Sequence, residues 1–188
     1  LAGSYRELME REGVADAVSF NTMLKMQLQR QKYDDARAVM VHMREAGFPP
    51  NQRTYNEFIH ALARSERPQS HSQLWDLVDE MHRNGVRPNR VTCSILLRNL
   101  KPSTSNADVR RAMDLVDDMD EPMDEVLLSS VVEACVRVSK ADLLAEKLRG
   151  LDGNDTINVS GAHTFGSLIK AYGYVKDVAG AWRCWKQM

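Results

Sequence analysis

Apolar residues recur along this chain at i, i+3, i+4 and i+7, the stripe of an α-helix that packs on one side. The stripe reads Ala36-Val39-Met40-Met43, Leu74-Leu77-Val78-Met81, Ala112-Leu115-Val116-Met119 and Ala181-Cys184-Trp185-Met188, with a partial copy at Ala2-Tyr5-Met9. Met9, Met43, Met81 and Met119 are separated by 34, 38 and 38 residues. A recurrence in this range marks a stacked array of small units, none of which can bury its apolar face alone.

Two of these helices run into the same punctuation. Met43 is followed by Gly47 and Pro50, and Met81 by Gly85 and Pro88. A glycine suits the left-handed residue just past a helix, and a proline beyond it cannot continue the helix. The third copy exits through Asp120-Glu121-Pro122-Met123-Asp124 and has no such glycine. A second kind of helix opens after each turn, at Val18-Ser19-Phe20-Asn21, Arg53-Thr54-Tyr55-Asn56, Val91-Thr92-Cys93-Ser94, Val126-Leu127-Leu128-Ser129 and His163-Thr164-Phe165-Gly166.

These patterns predict first helices near 18–30, 53–64, 91–100, 126–138 and 163–174, with partners near 33–46, 71–84, 106–119, 141–150 and 177–188. Short turns between them make antiparallel helical hairpins. Alanine at 36, 112 and 181 predicts close crossing of the two helices of a hairpin, and Leu74 a wider one. The ten methionines are expected at core positions, filling gaps between non-identical units. Residues 150–161, rich in Gly, Asn, Asp and Ser, are expected to form a mobile loop.

Composition narrows the chemistry. The 188 residues carry 43% hydrophobic side chains and a net charge of −1, so the chain can build a core and is not a strongly basic nucleic-acid binder. A locally basic face remains compatible with that balance. Cys93, Cys135 and Cys184 are odd in number, widely spaced and set in helical patterns, which predicts reduced thiols in or near the core. Neither they nor the five histidines show metal-ligand spacing, and no carboxylates form a catalytic set. The expectation is a binding protein and not an enzyme, with no metal and no cofactor. No apolar run is long enough to cross a membrane.

The units resemble the pentatricopeptide repeat. The resemblance is carried by Phe20-Asn21-Thr22-Met23-Leu24, continuing through Ala36 and Met43 to Gly47-x-x-Pro50-Asn51. A second copy runs from Arg53-Thr54-Tyr55-Asn56 to Gly85-x-x-Pro88-Asn89, and His163-Thr164-Phe165-Gly166 is the same opening again. The tetratricopeptide repeat shares the hairpin and the period, but its Trp and Gly-Tyr signals are not in place. The resemblance implies an all-α, right-handed superhelical solenoid of antiparallel helix pairs, with repeats of about 35 residues. Residues 1–16 would end a preceding repeat. Repeats would follow at 17–51, 52–89 and 90–124, a divergent one at 125–161 and a truncated one at 162–188, all in one solenoid domain.

The resemblance also implies a function: single-stranded RNA read one base per repeat. In that scheme a residue in the first helix and the last residue of the repeat read a base edge together, and a residue slightly upstream of the first sandwiches the base. The implied readers are Asn21 with Asn51, Asn56 with Asn89, and Ser94 with Asp124. The sandwiching residues are Val18, Arg53 and Val91. In the family such pairs favour pyrimidine, pyrimidine and guanine in turn. Asn21 and Asn56 could instead cap or solvate their helices, asparagine being favoured at helix starts, but their recurrence beside an aromatic in phase puts base reading narrowly ahead. Arg90, Arg98 and Lys101 are candidate phosphate contacts, although the run from Asp114 to Glu121 makes a merely solvated charged surface a credible alternative. Ser129 is paired with Gly161, which has no side chain to read with, and Gly166 stands where a polar reader belongs. The family implies a role in organellar RNA processing, stability or translation, in a mitochondrion or chloroplast. The alternative is a protein–protein scaffold in a large organellar ribonucleoprotein such as a ribosome.

Overall fold

The computed structural model describes residues 16–65, 70–152 and 162–188. Among them are ten helices and no strand. They are α1 (Ala17–Gln29), α2 (Tyr33–Glu45), α3 (Gln52–Ala63), α4 (Ser70–Arg83), α5 (Arg90–Asn99), α6 (Asn106–Asp117), α7 (Glu125–Arg137), α8 (Ala141–Asp152), α9 (Ala162–Tyr174) and α10 (Val178–Gln187). Every helix lies within two residues of the position expected from the apolar stripes. The partial copy at Ala2-Tyr5-Met9, residues 66–69 and residues 153–161 of the expected loop lie outside the described residues.

The chain divides into two compact units, one ending at Val86 and one spanning Arg87–Met188. In the first, α1 pairs with α2 and α3 with α4, and the first helices α1 and α3 pack side by side. In the second, α5 packs on α7 and α7 on α9, while α6, α8 and α10 each pack on their own first helix. First helices therefore line up with first helices within each unit, as an all-α helical repeat requires.

Local chemistry explains the turns. Gly47 (φ +81°) and Gly85 (φ +71°) are left-handed. At the first, the Phe48 N–H bonds Met43 O (2.9 Å) and the Gly47 N–H bonds Arg44 O (3.1 Å). At the second, Val86 bonds Met81 O (3.0 Å) and Gly85 bonds His82 O (2.9 Å), so two orphan carbonyls are satisfied at each helix end. The turns inside three hairpins use the same conformation without glycine, at Gln31 (φ 56°), Ser139 (φ 57°) and Lys176 (φ 63°). A left-handed Cβ costs roughly 1–2 kcal/mol, a strain the flanking helices hold in place.

The core of the first unit runs between hairpins. Tyr33 of α2 stacks on Phe58 of α3 (ring centroids 6.3 Å apart, planes 16° off parallel), and the Arg37 guanidinium lies 5.7 Å from the same ring. Glu80 of α4 accepts from Arg37 (2.9 Å) and pairs with Arg44 (3.6 Å). Asn84 donates to the hydroxyl of Tyr55 (2.8 Å), whose ionisation burial pushes up. In the second unit, Arg137 of α7 donates to the carbonyls of Leu97, Arg98 and Leu100 at 3.0–3.3 Å, closing the C-terminal end of α5 where Pro102 prevents further helix.

Two packing expectations change. In the last hairpin buried Gly180 lies where a Cβ would overlap the Tyr172 ring, and Ala181 beside it is only half-buried. Methionine is not uniformly core. Met40, Met43, Met81 and Met113 are buried, but Met26 and Met188 are exposed and Met119 is half-buried, because α6 ends at Asp117 before reaching it. Cys93, Cys135 and Cys184 are buried and form no disulfide, as expected.

Candidate nucleic-acid interface

The N-terminal turns of the first helices hold the candidate residues. Each described cap there is a short polar side chain: Asp16 for α1, Asn51 for α3, Asn89 for α5 and Asp124 for α7. Their side-chain oxygens accept from the backbone N–H three residues on, at Ser19 (2.7 Å), Thr54 (3.2 Å), Thr92 (3.0 Å) and Leu127 (2.8 Å). The Ser19 N–H holds the Asp16 carboxyl below the usual carboxylate range. The residue that closes one repeat is thus the N-cap of the next.

This removes the capping alternative for Asn21 and Asn56. Both sit a turn further in, and the caps of their helices are Asp16 and Asn51. Asn21 is half-buried, and Asn56 and Ser94 are each 9% exposed. Beside them, at the second helical position, Val18 and Val91 are 65% and 55% exposed, and Arg53 is also exposed. Sequence reasoning passed over Val126, which is 55% exposed and stands three residues before Ser129 as Val91 does before Ser94. Three outward β-branched apolar residues in one register are not explained by packing, because each is beyond reach of the core.

The pairs differ in how they are brought together. Asn21 and Asn51 are joined through Thr54. Its hydroxyl donates to Asn21 Oδ1 (2.8 Å) and accepts from the Asn51 N–H (3.2 Å), while Asn21 Nδ2 donates to Ala17 O (2.8 Å). Asn56 belongs to the first unit and Asn89 to the second. In the third repeat Leu127 stands where Thr54 would, and Ser94 makes no hydrogen bond to a described residue. Asp124 caps with Oδ1, and its Oδ2 pairs with Arg90 (3.3 Å), whose Nε is held by Glu121 (2.9 Å). In the fourth repeat the Ser129 and Ser167 hydroxyls bond each other (2.9 Å). Gly161 lies outside the described residues, and Gly166 is exposed.

The basic candidates separate in the same way. Arg90 is committed to two carboxylates, whereas Arg98 and Lys101 are exposed and form no ion pair with a described residue. Arg98 follows Ser94 by four residues and shares its face of α5. Exposed Lys25 and Lys170 hold that same offset from Asn21 and Gly166, a spacing visible in the sequence and not used there. The opposing charge is also visible. Asp114, Asp117, Asp118, Asp120 and Glu121 are exposed, with Asp117 paired to Lys147 and Asp120 to Arg87. Among the described residues, no group of His, Cys, Asp and Glu could hold a metal ion, and no helix is long and apolar enough to cross a membrane.

A hairpin array whose first helices begin with polar residues, three of them beside an outward valine, defines a helical-repeat protein. Family models agree: residues 15–64 match the PPR repeat family and residues 163–188 match the PPR repeat. Those two stretches of the chain are thus recognised as pentatricopeptide repeats. Among solved structures it is similar to the pentatricopeptide repeat protein PPR10 from maize, with 21% identity and a TM-score of 0.64 over 97% of this chain and 25% of that one. It is also similar to PPR10 in complex with an 18-nt psaJ RNA element, with 21% identity and a TM-score of 0.61 over 92% of this chain and 24% of that one. This chain spans about a quarter of the length of those proteins. No curated protein matches it in sequence.

Proposed function

We propose that this chain is a single-stranded RNA-binding module that reads bases with sequence bias, in organellar RNA processing, stability or translation in a mitochondrion or chloroplast. The observation that carries this is the register of exposed Val18, Val91 and Val126 beside the polar residues of the first helices, with the repeats of Val18 and Val91 closed by the caps Asn51 and Asp124. An exposed valine at that place offers a base face apolar contact, and the carboxamide or hydroxyl a turn on offers its edge hydrogen bonds. PPR10, of the same fold, is seen with an RNA element, which supports the assignment. The readers are Asn21 with Asn51 in the first unit and Ser94 with Asp124 in the second, with Asn56 and Asn89 assigned the same roles by their places in the repeat. The preferred order is pyrimidine, pyrimidine, guanine, 5′ to 3′. Arg53 replaces the apolar residue in the second repeat and offers a base its guanidinium plane. Arg98 and Lys101 hold phosphates, joined by Lys25 and Lys170. Each read base contributes ~1–3 kcal/mol, so three repeats bind modestly and act by capture, with no chemistry of their own.

One observation favours a second reading. Arg90, Arg87 and Lys147 are spent on the acidic run, and the fourth repeat has its serine tied to Ser167. A surface arranged in that way suits a scaffold that docks a basic protein inside an organellar ribonucleoprotein.

Selection from a randomised single-stranded RNA pool at two salt concentrations separates the readings. Enrichment of pyrimidine-pyrimidine-guanine, lost in the double variant Asn21→Ala, Asn56→Ala, supports base reading. Binding without sequence bias that collapses at high salt leaves phosphate attraction alone. No binding overturns the RNA reading and puts the scaffold first.

A further inference from the structure

We propose that Thr54 is a positioning residue for base readout: its buried hydroxyl fixes which atoms of the Asn21 carboxamide face the RNA. The inference rests on the RNA-binding reading of this chain.

A carboxamide presents a donor and an acceptor, and the two look alike until their partners are known. The partners at Asn21 leave no ambiguity. Ala17 O can only accept, so the atom 2.8 Å from it is the NH2 group of Asn21. Thr54 supplies the donor to the other end, Oδ1, at 2.8 Å. Thr54 itself is fully buried, so its hydroxyl has no water to turn to. Its hydrogen has a second possible acceptor in Asn51 Oδ1, but at 3.2 Å that is the longer contact, and that oxygen already takes the Thr54 N–H. The hydroxyl oxygen accepts from the Asn51 N–H (3.2 Å), which fixes the threonine rotamer.

The consequence is a carboxamide held at both ends. Asn21 keeps one N–H and one oxygen lone pair for a ligand, in a set direction, and Thr54 ties it to the repeat's other reader, Asn51. Preorganisation of this kind turns a hydrogen-bonding side chain into a discriminating one, because an amide free to turn over satisfies several base edges equally. The third repeat is the natural contrast. Leu127, fully buried, holds the place of Thr54 and cannot donate, and the Ser94 hydroxyl has no described partner to orient it. Hydroxyl residues hold the place in the other described repeats, at Ser19, Thr92 and Thr164.

The test compares the whole chain with Thr54→Val, which keeps shape and loses the donor, and Thr54→Ser, which keeps the donor. Selection from a randomised single-stranded RNA pool reads base preference position by position, and the side-chain amide resonances of Asn21 are followed by NMR without RNA. The expected result is a drop of about tenfold in pyrimidine preference at the first read position in the valine variant alone, the scale of one well-aligned hydrogen bond. The second and third positions stay unchanged, the serine variant restores the first, and the Asn21 amide signals lose their dispersion in the valine variant. Unchanged first-position preference in the valine variant overturns the proposal, as does an undisturbed Asn21 amide. Equal loss at every position also overturns it, marking Thr54 as merely structural. A wild-type chain that binds no RNA overturns the functional reading and this inference with it, whereas a wild-type preference that survives Thr54→Val overturns this inference alone.

Discussion

Replacing Asn51 by alanine should destabilise the chain whether or not it binds RNA. Asn51 Oδ1 accepts the Thr54 N–H at 3.2 Å, and the reciprocal bond from the Asn51 N–H to the Thr54 hydroxyl completes a capping box at the start of α3. Alanine removes the acceptor from one of the four orphan donors of the helix. Asn51 is exposed, so water reaches part of what is lost, and the reciprocal bond survives because it uses the backbone. The cost is therefore expected near the middle of the capping range, about 1 kcal/mol. In a chain of this length that lowers the melting temperature by roughly 2–4 °C. Asn51→Asp keeps the accepting oxygen and adds a negative charge at a helix N-terminus, so it should match the wild type to within about 0.5 kcal/mol. Urea unfolding followed by circular dichroism at 222 nm compares the three proteins. If the alanine variant is as stable as the wild type, or the aspartate variant falls as far as the alanine one, the capping assignment is wrong. The same comparison cleans up RNA assays, because the aspartate variant alters the reading atom while leaving the helix start intact.

Gly180→Ala should cost at least about 1 kcal/mol, since its Cβ would enter the Tyr172 ring; thermal unfolding checks it, and an unchanged midpoint would mean that the ring moves aside freely. Ser139→Gly, relieving a left-handed residue at φ 57°, should stabilise by about 0.5 kcal/mol once the looser unfolded chain is allowed for; a loss of stability in urea would contradict the strain. Burial pushes the Cys93 thiol up to about 12 from 9.0, so the native thiolate fraction at pH 8 falls roughly a thousandfold and alkylation by iodoacetamide should await unfolding; fast modification of the folded chain at Cys93 would refute the buried placement.

What was legible in the sequence was whatever is local to a few turns of chain. The glycines at 47 and 85 announced left-handed helix ends because that backbone region penalises a Cβ, and the apolar stripes set the ten helices to within two residues. Gln31, Ser139 and Lys176 take the same conformation with no sign in composition, because there the helix packing pays the strain. The candidate site divides along the same line. Which residues stand at the helix starts was readable; which of them are engaged was not. Thr54 meets Asn21, Glu80 meets Arg37 and Arg137 meets the end of α5 across 33 to 43 residues of chain, and each contact depends on how far one hairpin is offset against the next. The choice of Gly180 over Ala181 for close approach depends likewise on a rotation of α10 that spacing alone does not set.

The caps also suggest why so few residue types occupy the last position of a repeat. That position must accept a backbone N–H at the start of the next helix, which favours Asn, Asp, Ser and Thr. Asn and Asp meet the demand with one atom and have nearly the same shape, but they differ in the atom left over. Asn51 spends its oxygen on Thr54 and keeps an NH2 group; Asp124 spends Oδ1 on Leu127 and keeps a second oxygen, which here rests against Arg90. The first residue offers a base edge donors and the second offers an acceptor. On the proposed function, capping thus limits the residues available for reading, and the atom capping does not use carries the choice of base. The Arg90 contact then sets a condition on the third repeat, since Asp124 can accept from a base only where its Oδ2 is shared with that guanidinium or released by it. Arg90→Gln, which removes the charge and keeps a donor, should therefore raise guanine preference at the third position about threefold, on the scale of an exposed ion pair. A fall in that preference would mean that Arg90 holds Asp124 in its reading position and does not compete for it.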